Sequence, residues 1–243
     1  MPRPTTVTRR RPISMAAQLL DFLDKVMAIL WKDIVAELRT KEMFSSMFVF
    51  AIMVVVIFNF AFELKQFEIA DIAPGVLWVA FTFAGILGLN RSFVLEKDRG
   101  GLEGLMLAPM DRSAIYLGKM LGNVIFMLVV EVIILPIFTI LFNLPLLLPA
   151  LVPIILLGTV GFAAVGTLFA AMAVNTRTRE VLLPVLLFPI AVPIIIAAVK
   201  ASGAVFAGDS LAAVSHWLRL MVVFDTIFLV VAFITFEFVL EEY

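Results

Sequence analysis

Between Met120 and Thr176 the chain carries a single charged residue, Glu131. A helix that long is about twice what is needed to cross a ~30 Å hydrocarbon core, so the stretch must turn back on itself. Asn143, Pro145 and Pro149 supply the break. The segments Met43–Phe62, Ile72–Asn90 and Val181–Val199 are also free of charge. Only 15% of the residues are charged and 63% are apolar, whereas a water-facing domain carries roughly a quarter charged residues. This surface therefore faces lipid. The expected fold is an all-α integral membrane protein with six spans, at about 43–64, 72–90, 116–142, 149–174, 181–199 and 217–239. The last span encloses Asp225.

The same inventory excludes much chemistry. The chain has no cysteine and one histidine, His216, which rules out disulfides, thiolate metal sites and cysteine nucleophiles. A net charge of -1 gives no basic field for nucleic acid. No catalytic set is apparent, and no metal site is expected. Any energy source belongs to another chain.

Orientation follows from Lys and Arg. Eight lie in residues 1–42, four in the second loop (Arg91, Lys97, Arg99 and Arg112), and two in the fourth (Arg177 and Arg179). The opposite side has three, Lys65, Lys200 and Arg219. By the positive-inside rule the fourteen face the cytoplasm. Six spans then put both termini inside, in the inner (plasma) membrane. Residues 1–14 are basic and contain proline, and are expected to be disordered. Arg9-Arg10-Arg11 is not followed by an unbroken apolar region, because Asp21, Asp24 and Lys25 intervene; no cleavable signal is expected.

Residues 15–42 have a different pattern. Leu19, Leu23, Val26, Leu30, Ile34 and Leu38 recur at three- and four-residue steps, with charged residues between them. That spacing predicts an amphipathic helix lying in the membrane interface, either as a passive anchor or as a lever. Residues 43–240 then form the six-helix transmembrane domain.

The second loop is the most informative. Arg91 to Asp98 is rich in mixed charge, and Gly100-Gly101 permits a sharp turn. Leu102, Leu105 and Met106 follow at i, i+3 and i+4 and would share one face of a short helix, which Pro109 ends. Such a helix lies on lipid or fits a groove on a soluble partner. Gly-Lys-Ser/Thr is absent, so the glycines do not form a phosphate loop.

Several ordered elements resemble the heme exporter B (CcmB) family, of the wider ABC-2 permease (type V exporter-like) class. They are Trp31-Lys-Asp33 through Glu37-Leu-Arg39; Ala73-Pro74-Gly75-Val76-Leu77-Trp78; Leu102-Glu103-Gly104-Leu105-Met106-Leu107-Ala108-Pro109 with Gly118-Lys119; and the proline pairs Leu183-Pro184, Phe188-Pro189 and Val192-Pro193. The resemblance covers about residues 31–235. It implies the membrane subunit of an ATP-driven cytochrome c maturation complex, non-catalytic itself and without a bound cofactor. ATP would be hydrolysed on a CcmA-like partner, and heme would be the transported or handled ligand. Further implied partners are CcmC- and CcmD-like membrane proteins, a heme chaperone and a second copy of the chain. In this reading the coupling segment comprises Glu96, Gly101, Leu102, Glu103, Leu105, Met106 and Pro109, with Leu102, Leu105 and Met106 as apolar contacts and Glu96 and Glu103 as polar ones. Trp31, Asp33, Glu37 and Arg39 mark the interfacial helix. The alternatives are an ABC-2 permease for a lipid, glycan or drug, and a membrane scaffold.

Three polar residues inside or beside the spans remain. Glu131 sits mid-span, where a charge is expensive unless it faces protein or water. It serves either a switch or an interhelical hydrogen bond. Asp225 lies nearer a span end and is easier to accommodate. His216 is a heme-ligand candidate or simply a boundary residue beside Trp217. Gly158, Gly161 and Gly166 give the fourth span a small-residue face for packing.

Overall fold

The computed structural model describes residues 15–62, 69–98, 101, 104, 107, 108, 110–144, 149–174, 176 and 178–241. Seven helices run through them in order: α1 (Met15–Thr40), α2 (Glu42–Phe62), α3 (Ile69–Asp98), α4 (Arg112–Leu141), α5 (Leu151–Ala173), α6 (Arg179–Phe206) and α7 (Ser215–Glu241). The described residues contain no strand. Helices α2 to α7 are each long and apolar enough to cross a membrane. The protein is an all-α, multi-pass membrane protein.

The helices outrun the apolar segments. The second apolar stretch ends at Asn90, yet α3 continues to Asp98. Hydropathy marks where lipid stops, not where backbone hydrogen bonding stops. The extra turns persist because their charged side chains find partners on neighbouring helices.

Helices α3 and α5 are the most enclosed of the six. The small residues of α5 allow this. A Cβ on Gly158 would run into the Trp78 indole, one on Gly161 into Ile194 and the Asp225 carboxylate, and one on Gly166 into Leu89. Large side chains of α3 and α7 thus lie directly on the α5 backbone, the close approach expected of small residues at membrane helix interfaces. The Trp78 indole N–H donates to Ser202 Oγ at 3.0 Å, joining α3 to α6. Pro136 lies within α4, and Pro184, Pro189 and Pro193 within α6. Both helices continue through them, as prolines permit when neighbouring helices support the backbone.

Helix α1 stops abruptly. Lys41 adopts φ 55°, a left-handed conformation that ends one helix and redirects the chain into the next. Buried Glu37 accepts the Phe44 N–H at 2.8 Å, satisfying one of the orphan donors at the start of α2. The six-residue stripe expected along α1 divides in space. Val26 and Leu30 are buried with Ile29, whereas Leu19, Leu23 and Leu38 are exposed. The exposed set joins Met15, Met27 and Trp31. One side of α1 therefore packs on α4, where a Cβ at Gly118 would strike Ile29 at 2.8 Å. A second apolar side is left largely exposed.

Candidate functional site

The N-terminal part of α4 passes beside α1 and the last turns of α3. At this crossing Lys119 is 2% exposed. An ammonium so enclosed must be paired, because desolvation is otherwise prohibitive. Its Nζ lies 2.5 Å from Glu96 Oε2 and 2.9 Å from Asp33 Oδ2, and 5.7 Å from the Phe93 ring centre. Lys32 approaches from α1, 2.5 Å from Glu96 Oε1 and 3.3 Å from Asp33 Oδ1. Two ammoniums and two carboxylates therefore form a closed, charge-neutral knot linking α1, α3 and α4. Burial pushes the Glu96 carboxyl up, but Lys119 and Lys32 outweigh it and hold Glu96 below the ordinary carboxylate range.

Sequence reasoning placed Glu96 among the partner-facing groups. In the structure its carboxylate turns inward to the two lysines. Gly101, the first described residue beyond α3, lies against it: a Cβ there would meet the Glu96 carboxylate, with Glu96 Cδ at 3.1 Å. Gly101 is thus seated on the knot. Leu102, Glu103, Leu105, Met106 and Pro109 lie outside the described residues. Asp33 belongs to the knot, Glu37 caps α2, and Trp31 and Arg39 are exposed. Lys119 is the residue that sequence reasoning missed. It counts as one more basic residue near a span end until α1 and α3 are seen to bring carboxylates to it.

Two acidic residues sit deeper. Glu131 is 5% exposed, with the Thr159 hydroxyl 2.9 Å from Oε1 and 2.8 Å from Oε2. Trp78, Thr82, Phe162 and Ile194 close around it. The hydrogen bond joins α4 to α5, as the packing alternative weighed from sequence requires. Glu131→Gln keeps a polar partner for Thr159, whereas Glu131→Leu strands its buried hydroxyl at about 1–3 kcal/mol. Thermal unfolding of the purified protein should therefore rank Gln well above Leu. A charge-dependent role would instead appear as a Gln variant that is stable but inactive.

Asp225 does not have the easy placement expected of it. It is 5% exposed, and neither carboxylate oxygen has a hydrogen-bond partner among the described residues. Position along the helix suggested proximity to water; packing of α7 on Gly161 of α5 removes it. His216 is exposed and lies against Trp217, ring centres 4.7 Å apart. Among the described residues no group of three or more His, Asp or Glu side chains is arranged to hold a metal.

The comparisons with known proteins bear on all of these elements together. The sequence model described as CcmB protein matches residues 24–241, from α1 to the end of α7. Heme exporter protein B of Rhodobacter capsulatus is 32% identical over 170 residues, covering 70% of this chain and 78% of that one. The protein of the same name from Paracoccus denitrificans is 30% identical over 170 residues, with the same coverage. That from Pseudomonas aeruginosa is 28% identical over 162 residues, covering 65% and 71%. The match takes in the helix that carries Asp33, the α3 terminus that carries Glu96 and the span that carries Lys119, and this chain belongs to the CcmB protein family.

Proposed function

We propose that the chain is the membrane permease subunit of an ABC transporter for cytochrome c biogenesis. It couples ATP hydrolysis on a separate, CcmA-like subunit to heme export or to release of a heme-loaded chaperone. The observation that carries this reading is the family match across α1 to α7, on a fold with six helices able to span a membrane. The chain is non-catalytic in this reading, and CcmC- and CcmD-like membrane proteins, the chaperone and a second copy of the chain complete the assembly. The fourteen-to-three distribution of Lys and Arg supports an inner-membrane orientation with the second loop and both termini in the cytoplasm. The exposed apolar side of α1 suits the interface on that side.

The coupling segment, Glu96 with Gly101, Leu102, Glu103, Leu105, Met106 and Pro109, then receives the ATPase. The knot gives its movement a route into the bundle. A displacement at Gly101 presses on Glu96, and Glu96 is tied to both α1 and α4. Rigid helices joined through one compact ionic contact shift as units rather than deforming.

Deleting the gene in its host should abolish covalently heme-stained c-type cytochromes while leaving b-type cytochromes intact, and the wild-type gene should restore them. Normal c-type cytochromes in the deletion strain, with loss of another exported compound, would favour the alternative ABC-2 permease for a lipid, glycan or drug.

A further inference from the structure

Beside the knot is a cavity of about 230 Å³, bounded by α1, the start of α2, the end of α3 and α4. Its walls mix two characters: the charged groups of the knot and of the Arg91–Glu42 pair lie beside apolar surface from Phe126, Met43 and Val94. A cavity that joins charge to apolar surface at the end of a span suits the head of a phospholipid, where charged groups meet the start of the acyl chains.

The charges select among headgroups. Lys32, Arg91 and Lys119 face Asp33, Glu37, Glu42 and Glu96, so the lining carries one more carboxylate than cations. An anionic headgroup would add to that excess. Most of these groups are engaged within the protein, in the knot or, for Glu37, at the α2 terminus. The exception in character is Arg91 with Glu42, 2.7 Å apart and each about half exposed. Such a pair contributes little to stability and separates readily. A ligand bearing a phosphate and a primary ammonium would replace that single pair by two. Its phosphate would accept from the Arg91 guanidinium, which suits phosphate oxygens, and its ammonium would donate to Glu42. Neither charge of that pair would be left uncompensated, and the net charge of the lining would not change. A quaternary ammonium has no N–H to donate and would lose the second contact.

We propose that this cavity is a binding site for the headgroup of a zwitterionic aminophospholipid, phosphatidylethanolamine in class, whose acyl chains remain in the bilayer. The volume suits a headgroup rather than a whole lipid. The site does not depend on what the protein transports. It would fix α1, the start of α2 and the end of α3 to one lipid molecule.

Native mass spectrometry of the full-length protein tests this, after delipidation and exposure to phosphatidylethanolamine, phosphatidylcholine or phosphatidylglycerol with matched acyl chains. The wild-type protein should retain phosphatidylethanolamine about tenfold better than the other two, the size expected for one charge-assisted hydrogen-bonded contact. Glu42→Gln and Arg91→Gln, both at half-exposed positions, should remove the preference while the protein stays folded. Gly122→Leu gives an independent check. A Cβ at Gly122 meets only ordinary contacts at 3.8–3.9 Å, and the rest of the side chain would fill the cavity and displace the lipid. Equal retention of the three lipids would overturn the proposal, as would a preference that survives all three substitutions. Binding of free phosphoethanolamine as tight as that of the lipid would overturn the assignment to a membrane lipid.

Discussion

Lys119→Met should be among the most destabilising single substitutions in this protein. The side chain is 2% exposed and holds two carboxylates on different helices. Methionine fills much of the space but leaves Asp33 and Glu96 facing each other, with only Lys32 between them. Breaking a buried ion pair from one side costs about 3–5 kcal/mol, a large share of the ~5–15 kcal/mol that holds a typical domain together. Thermal unfolding in detergent, followed by tryptophan fluorescence, should show a much lower midpoint for Lys119→Met. Adding Glu96→Gln to it should recover part of the loss, because the pair interacts and the two effects are not additive.

Acid should imitate the second substitution. Glu96 is held below its ordinary range in the folded protein. Its contribution is therefore complete above the unfolded value, near 4.3, and is lost as pH falls below that through the folded value. Unfolding of the wild type should become easier over that acidic window, and less so in Glu96→Gln. A Lys119→Met protein as stable as wild type would show that the knot does not hold α1, α3 and α4 together.

If the chain is the permease subunit proposed above, Leu105→Asp should separate it from the partner ATPase without unfolding it. Leu102, Leu105 and Met106 share one face of the predicted loop helix. A groove on a soluble subunit would bury that face, with each side chain contributing on the order of 1.5–3 kcal/mol. Replacing one by a carboxylate removes that term and places a charge in an apolar contact, so affinity should fall by roughly tenfold to a hundredfold or more. Co-purification with the ATPase subunit, and stimulation of ATP hydrolysis by the complex, should both be lost. Leu64→Asp, in the segment that the Lys and Arg distribution assigns to the outer side, should leave both unchanged. If the loop helix instead lies on lipid, Leu105→Asp will bind the ATPase as tightly as wild type, and the coupling reading fails.

These two substitutions sit on opposite sides of what could be read without the structure. Periodicity alone puts Leu105 on the apolar face of a short loop helix, and the family resemblance adds the expectation that this face meets an ATPase rather than lipid. Lys119 carries no such signal. It follows a long-range arrangement in which Asp33 and Glu96 stand 86 and 23 residues away in sequence. Periodicity also treated the leucines of α1 as one stripe. Only the packing of α1 on α4 shows that Val26 and Leu30 are buried while Leu19, Leu23 and Leu38 are exposed.

The sequence by itself determined the membrane fold, the number of spans, the likeness to the family and the polar groups that had to be accounted for inside them. Apart from the likeness, which rests on the order of short motifs, those properties depend on transfer between water and lipid, which acts residue by residue and needs no knowledge of neighbours. Tertiary structure decided the partners of those polar groups. It gave Glu131 a hydroxyl from α5, left Asp225 without a hydrogen bond among the described residues, and turned Glu96 from a partner-facing residue into the centre of an ionic knot. Pairing depends on which helices touch and at what rotation. That is fixed by where small residues such as Gly118, Gly158 and Gly161 let backbones approach, and hydropathy along one chain does not contain it.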